Sequence, residues 1–394
     1  MLLQTAHPVL PSANHDELAR QEFAFGFKIH ISTDIGPGNR SVAETRVIPK
    51  AAKASGQLPT SRVELRDAMS RDPYHQMWGS LTRLAQEVMW DSVEESVSRQ
   101  LPNLNQLAKQ SQSVGAGGSL KLDPALEVPR YMSAVDIHVM PGGYATESTD
   151  DDVRAGAIFD RGTFINVCGT QGALHDARGR TICSFLRHNY PDFRPKRILD
   201  MGCSVGQATV AYPPAFPGSQ VHAIDVAAPL LRYAYARAEG LGRRIHFSQQ
   251  NAEATNFPDG HFDLIVSHLL FHETATGALE NIIRECHRLL RPGGMMVHLE
   301  LGLPYRDMDL IEQVIHDWQT LNNAEPFWTR INSTDTADIA RRVGFGEARS
   351  GYLERSEHPE SDQTVLGPKP AETDAHPQGA RVGCEVFFVM RGTK

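Results

Sequence analysis

Residues 197–225 read RILDMGCSVGQATVAYPPAFPGSQVHAID. A short apolar run, Ile198 and Leu199, ends on Asp200; a turn containing Gly202 and Gly206 comes next; a second apolar run, Val221 to Ile224, ends on Asp225. This is the pattern of a strand, a tight turn into a helix, and a second strand that closes on an acid. The glycines let backbone approach a ligand, the helix start offers unpaired N–H groups, and an acid roughly 20 residues on can accept from both hydroxyls of a ribose. Such a unit is built to hold a nucleoside.

The spacing narrows the choice. Dinucleotide-binding turns read G-x-G-x-x-G, which disfavours a nicotinamide dehydrogenase here. In this chain the order is Asp200-Met201-Gly202-Cys203-Ser204-Val205-Gly206. An acid before the first glycine suits a ligand with an ammonium group rather than a pyrophosphate. The stretch resembles the first motif of class I S-adenosylmethionine-dependent methyltransferases, and the residues downstream of it match that family in order and distance. Asp225 resembles the ribose-binding acid, and Gln250-Asn251-Ala252-Glu253 the loop against the adenine, with Asn where Asp is commoner. FPDGHFD (257–263) leads into a fourth strand, and LLRPGG (289–294) is the usual turn before the fifth. The resemblance spans about 195–303. It implies S-adenosylmethionine as cofactor, leaving as S-adenosylhomocysteine, held by Asp200, Gly202, Cys203, Ser204, Gly206, Asp225, Val226, Asn251, Ala252 and Ser267.

Around this unit strands and helices alternate. Apolar faces at helical spacing cover 228–241, 278–290 and 336–343, and strands are expected at 245–248, 264–270, 295–301, 348–353 and 383–391. The fold expected is α/β: a Rossmann-like, seven-stranded doubly wound sheet with a mainly helical N-terminal extension and a C-terminal antiparallel strand pair. The domains expected are an extension over 1–120 that serves dimerisation or covers substrate, a lid or connector over 121–190, and the cofactor-binding domain over 191–394 with insertions at 304–333 and 354–381. Pro213-Pro214 falls where the first core helix should still run, so that helix is short or bent. In the extension, 1–61 shows little periodicity apart from a strand at Phe23–Ile31, whereas Leu81 to Leu101 carries one apolar stripe of a long helix, and Gly115–Gly118 marks a hinge or linker.

The chemistry-bearing residues cluster after the fourth strand, in SHLLFHET (267–274). Methyl transfer from a sulfonium needs alignment first, and a base only where the acceptor must lose a proton. His272, His268 and Glu273 are the catalytic candidates; Glu273 orients His272 or caps the next helix, and Glu300 is a further candidate. If strand continues to Phe271, or if helix starts at Leu269, the two histidines share a face. Their His-x-x-x-His spacing also resembles a metal pair, but the H-E-x-x-H order is absent and no metal is expected. Tyr131, His138 and Tyr144 in the segment before the cofactor unit, with Trp328 and Arg330 in the insertion, are the substrate-binding candidates; Trp318 serves either substrate contact or core packing.

Composition bounds the partners. Lys and Arg number 39 against 47 Asp and Glu, a net charge of −8, so no broad attraction to nucleic acid is expected. No N-P-P-Y or D-P-P-Y comes after the fourth strand. The five cysteines form no C-x-x-C pair, no run of 18 apolar residues occurs, and the start carries no basic segment. These features lead to the expectation of a cytoplasmic protein without membrane contact, acting on a small molecule through an O, N or C acceptor, with a homodimer allowed. The alternative reading is a protein that binds S-adenosylmethionine without transferring methyl, such as a sensor or scaffold.

Overall fold

The computed structural model describes residues 3–111, 115–301, 304–354, 380–381 and 384–394. Its strands are β1 (Ser119–Lys121), β2 (Arg197–Met201), β3 (Gln220–Asp225), β4 (His246–Gln249), β5 (Phe262–His268), β6 (Leu290–Leu301), β7 (Glu347–Glu354), β8 (Ala380–Arg381) and β9 (Cys384–Thr393). They form one sheet in the order β1-β4-β3-β2-β5-β6-β9-β7, with β8 paired to β9. Pairing is parallel from β1 to β6 and antiparallel at β9 and β7. The apolar runs explain this: Ile198 to Met201 and Phe262 to Ser267 are buried throughout, as strands covered by helices on both faces must be. The strand order reverses between β2 and β5, so the crevice for a ligand opens at the carboxyl ends of those strands.

The expected seven strands are therefore present, with the C-terminal antiparallel pair, and β1 adds a parallel edge. The glycines at Gly115–Gly118, expected as a hinge or linker, lead into that edge. A Cβ on Gly118 would lie 2.4 Å from the Ile245 carbonyl oxygen, so only glycine lets β1 reach β4. After the glycine turn a 3-10 turn (Thr209–Ala211) and a four-residue helix (Tyr212–Ala215) replace a full helix, as Pro213-Pro214 requires. The insertion expected over 354–381 lies, apart from its ends, outside the described residues.

The N-terminal extension corrects one expectation. Phe23–Ile31 is not a strand: His15–His30 is a helix, capped by Asn14, whose side chain accepts from Glu17 N–H while Glu17 returns a bond to the Asn14 N–H. The aromatic residues that favour a strand lose to the cap and to burial of Glu17, Gln21 and Ala24 against the neighbouring long helix. Glu17 is held there by Arg99 (2.7 Å) and Ser96 (3.0 Å). That long helix, Pro73–Ser111, contains the expected stripe; Met89, Val93 and Val97 are fully buried within the same chain, and Leu84 is exposed.

The long helix packs on a helix at Arg154–Asn166, where Gly162 meets the ring of Trp90. A Cβ there would fall 2.1 Å from Cζ3. Trp90 cannot easily retreat, because its indole N–H donates to the His138 carbonyl (2.8 Å). Gly162→Ala is therefore expected to destabilise the fold by about 1–3 kcal/mol, the usual range for overpacking, measured as a lowered urea midpoint with an unchanged slope.

Candidate active site

One cavity of about 340 Å³ opens at the carboxyl ends of β2, β3 and β5. Its inner wall is the glycine turn. Asp200, Gly202, Cys203, Ser204 and Asp225 all line it. Asp225 accepts from the Ser204 N–H (2.9 Å) and the Ala227 N–H (3.0 Å), which ties the turn to the end of β3. Burial raises its carboxyl, against the backbone donors that lower it. Asp200 accepts from the Thr209 hydroxyl (2.6 Å), while its other oxygen is buried and without a partner among the described residues. Burial, helped by the Asp225 charge, pushes its carboxyl up to about 7. Ser204 has a left-handed backbone (φ 48°), and its buried hydroxyl likewise lacks a partner among those residues.

Other expected cofactor residues stand behind this wall. Gly206 packs toward Phe247 and Ala234, and its carbonyl accepts from Arg237. The Val226 carbonyl accepts from Gln249 (3.0 Å), the Asn251 side chain accepts from Glu253 N–H (2.9 Å), and Ala252 is buried. Ser267 is fully buried, with its hydroxyl 2.7 Å from His298 Nδ1.

The histidines after β5 are brought to the cavity by neither a continued strand nor a helix starting at Leu269. β5 ends at His268, Leu269 turns left-handed (φ 63°), and a 3-10 turn carries Phe271–Glu273. His268 Nε2 lies 2.7 Å from the Tyr212 hydroxyl, and burial lowers its pKa to about 3, so it is neutral at physiological pH. His272 Nδ1 lies 2.7 Å from Glu300, which also accepts from the Phe271 N–H (2.8 Å). Burial lowers the His272 pKa, but the Glu300 and neighbouring carboxylates outweigh it and the net shift is upward. Glu273 caps no helix but lies 3.7 Å from His272 Nε2. It pairs with His138 Nε2 (3.1 Å) and accepts from the Tyr144 hydroxyl (3.3 Å).

His138 and Tyr144 thus join the cavity wall, as does Trp328, whose ring centroid is 5.2 Å from that of His272. Trp318 packs as expected, against Trp78 and with its indole N–H donating to the Gly79 carbonyl (3.2 Å), and it also lines the cavity. Tyr131 is not on the wall: its hydroxyl donates to Glu253 (2.9 Å) and its ring meets Phe327 edge-on. Arg330 faces a separate depression bounded by Phe271, Leu279 and Asp335. Residues with no signal in the sequence complete the site. Glu325 and Asn323 come from the loop after the insertion helix Leu310–Asn322; Lys28, Trp78 and Gln86 come from the extension. Lys28 donates to Gln86 (2.7 Å), and burial lowers its pKa to about 8.

The family described as "Methyltransferase domain" matches residues 198–294. An uncharacterized methyltransferase of Synechocystis sp. is 30% identical over 154 residues, which are 39% of this chain and 68% of that protein. The chain belongs to the class I S-adenosylmethionine-dependent methyltransferases. A demethylmenaquinone methyltransferase of Thermus thermophilus is 36% identical over 110 residues, 28% of this chain and 49% of that relative. A malonyl-[acyl-carrier protein] O-methyltransferase of Methylococcus capsulatus is 32% identical over 133 residues, 33% of this chain and 46% of that relative. The match thus spans about half the length of these two relatives. The methyltransferase match falls on β2 through the start of β6, the part of the sheet that carries the cavity wall.

The family's methyl donor fits the residues present. The orphaned Asp200 oxygen suits its ammonium group, and Asp225 at the sheet edge suits its ribose. Gly202 between them has a left-handed backbone (φ 68°), which a side chain there would strain. Among the described residues no helix is long and apolar enough to cross a membrane.

Proposed function

We propose that the protein transfers the methyl group of S-adenosylmethionine to a small molecule with an apolar body, and that the N-terminal extension covers that acceptor. The observation that carries this is the continuity of one cavity from Asp200 and Asp225 to His272 and on to Trp78, Trp318 and Lys28. Bound donor supplies a methyl carbon made electrophilic by a sulfonium. The chain's contribution is then placement: Asp225 holds the ribose end, Asp200 the ammonium, and the aromatic walls keep water from the reacting pair.

Transfer to an O–H, N–H or C–H acceptor forms the new bond to methyl and breaks the methyl–sulfur bond, whose electron pair stays on sulfur. One proton leaves the acceptor. Glu273 is the group we assign to take it, since its carboxylate lies on the cavity wall between His138 and Tyr144. His272, clamped by Glu300, and Trp328, whose buried indole N–H has no partner among the described residues, orient the acceptor. His268, turned to Tyr212, holds the donor side of the cavity. The name of the malonyl-[acyl-carrier protein] O-methyltransferase relative supports an oxygen acceptor.

The test is incubation with methyl-labelled S-adenosylmethionine and panels of quinols, phenols, carboxylic acids and amines. The expected result is S-adenosylhomocysteine formed in step with labelled product. Tight donor binding with no product across all panels would support a binding protein that does not transfer methyl.

A further inference from the structure

The polar end of the cavity holds a donor set that alignment of an acceptor does not by itself require. His138, His272 and Glu325 each offer one ligand atom, and these atoms lie within 4.8 Å of one another. They arrive from three separated parts of the chain: the turn Ile137–Val139, the turn after β5, and the loop after the insertion helix. Chance neighbours in sequence therefore do not account for them.

A second observation points to a ligand. Glu325 is 2% exposed; one oxygen accepts from Asn323 (2.8 Å) and lies 3.0 Å from His138 Nδ1, and the other has no partner among the described residues. Buried carboxylate oxygens are rarely left bare, because the lost hydration has to be replaced. The Glu300 contact to His272 Nδ1 is the arrangement that fixes an imidazole so that its other nitrogen can serve a metal. With that contact in place, Nε2, which lies 3.7 Å from Glu273 Oε1, is the nitrogen available to the cluster.

We propose that His138, His272 and Glu325 bind one divalent transition-metal ion, and that this ion holds an oxygen atom of the acceptor in front of the methyl donor. Two imidazoles and one carboxylate, with the remaining positions open to the cavity, suit zinc, iron, cobalt or manganese rather than calcium or magnesium. The metal would lower the pKa of a bound acceptor hydroxyl, which then releases its proton to Glu273. This runs against the metal-free expectation drawn from the sequence, which considered the His268–His272 spacing and the cysteines but neither His138 nor Glu325 as a ligand. The ion's role toward the acceptor rests on the proposed methyl transfer; its binding does not.

The experiment uses untagged full-length protein, stripped with a chelator and titrated by calorimetry with zinc and with cobalt, while the cobalt visible spectrum is recorded. One equivalent is expected, with the absorption of imidazole-ligated cobalt. Affinity should fall at least about tenfold in His138→Ala and in Glu325→Gln. Calorimetry with S-adenosylmethionine should remain unchanged in both variants, since neither side chain touches Asp200 or Asp225, and this also shows that the variants are folded. Absence of stoichiometric binding to the wild-type protein, or equal affinity in folded variants, would overturn the site whatever the outcome of the methyl-transfer assay. Metal that binds but leaves methyl transfer unaffected by chelation would overturn the acceptor role.

Discussion

Asp225→Ala is expected to weaken S-adenosylmethionine binding by about ten- to a hundredfold, read as the dissociation constant by calorimetry. A carboxylate that accepts from ribose hydroxyls contributes charged hydrogen bonds of about 1.5–3 kcal/mol each, and about 1.4 kcal/mol is a factor of ten. Asp225 also does a second job within the chain. It accepts from the Ser204 and Ala227 N–H groups, so alanine also leaves two turn donors unpaired and loosens the wall that meets the donor. Asp225→Asn separates the two roles. The amide oxygen keeps one of these bonds while the charge is lost, so a smaller loss of affinity is expected than for alanine. Both variants should keep a cooperative unfolding transition, because the β3 core at Val221, Ala223 and Ile224 does not depend on this side chain. An unchanged dissociation constant in Asp225→Ala would remove this residue from the cofactor site and with it the orientation assigned to the donor.

That residue was legible because its signal is local. Asp200, the glycine turn and Asp225 lie within one β-turn-β unit, so their spacing alone puts them on one wall, and the strands on either side read directly from apolar runs. The acceptor side differs in kind. His138, His272 and Glu325 meet only because the insertion loop and the segment before β2 fold over the end of β5, and neither a buried glutamate nor a lone histidine carries periodicity that would announce it. Arg330 illustrates the converse. It sits two residues from Trp328, in the insertion expected to supply substrate contacts, yet the short helix Trp328–Ile331 turns the two side chains to different depressions. At Phe23–Ile31 local propensity pointed to a strand, but the capping box at Asn14 and Glu17 and the surface offered by the long helix decide for a helix. The extension's part in the cavity, through Lys28, Trp78 and Gln86, arises from that tertiary packing and from nothing shorter in range.

The largest loss of stability is expected from Asp160→Ala, about 3–5 kcal/mol by urea unfolding at neutral pH. Asp160 is fully buried and meets His7 Nε2 (3.0 Å), Gln207 Nε2 (2.7 Å) and the Tyr233 hydroxyl (2.9 Å), with Arg237 Nε at 3.7 Å. Arg237 is itself 1% exposed, so removing the carboxylate leaves a buried guanidinium charge uncompensated, the costly half of a broken buried pair. Burial alone would raise the Asp160 carboxyl, but the Arg237 charge and the His7 bond hold it well below the usual carboxylate range. A pKa lower in the folded than in the unfolded chain contributes stability that is fully present above the unfolded value of about 3.9. It is lost as pH falls through the folded value. The gap between wild type and Asp160→Asn should therefore be wide at pH 7 and narrow as the pH drops below about 4; a gap that widens on acidification would contradict the assignment. The same substitution should reach the cofactor wall. Gln207 sits directly after the glycine turn, and Arg237 also donates to the Gly206 carbonyl (3.2 Å). The Asp160 cluster thus braces that turn from behind and ties it to His7 at the N-terminus, so donor affinity should fall in Asp160→Asn even under conditions where the variant remains folded.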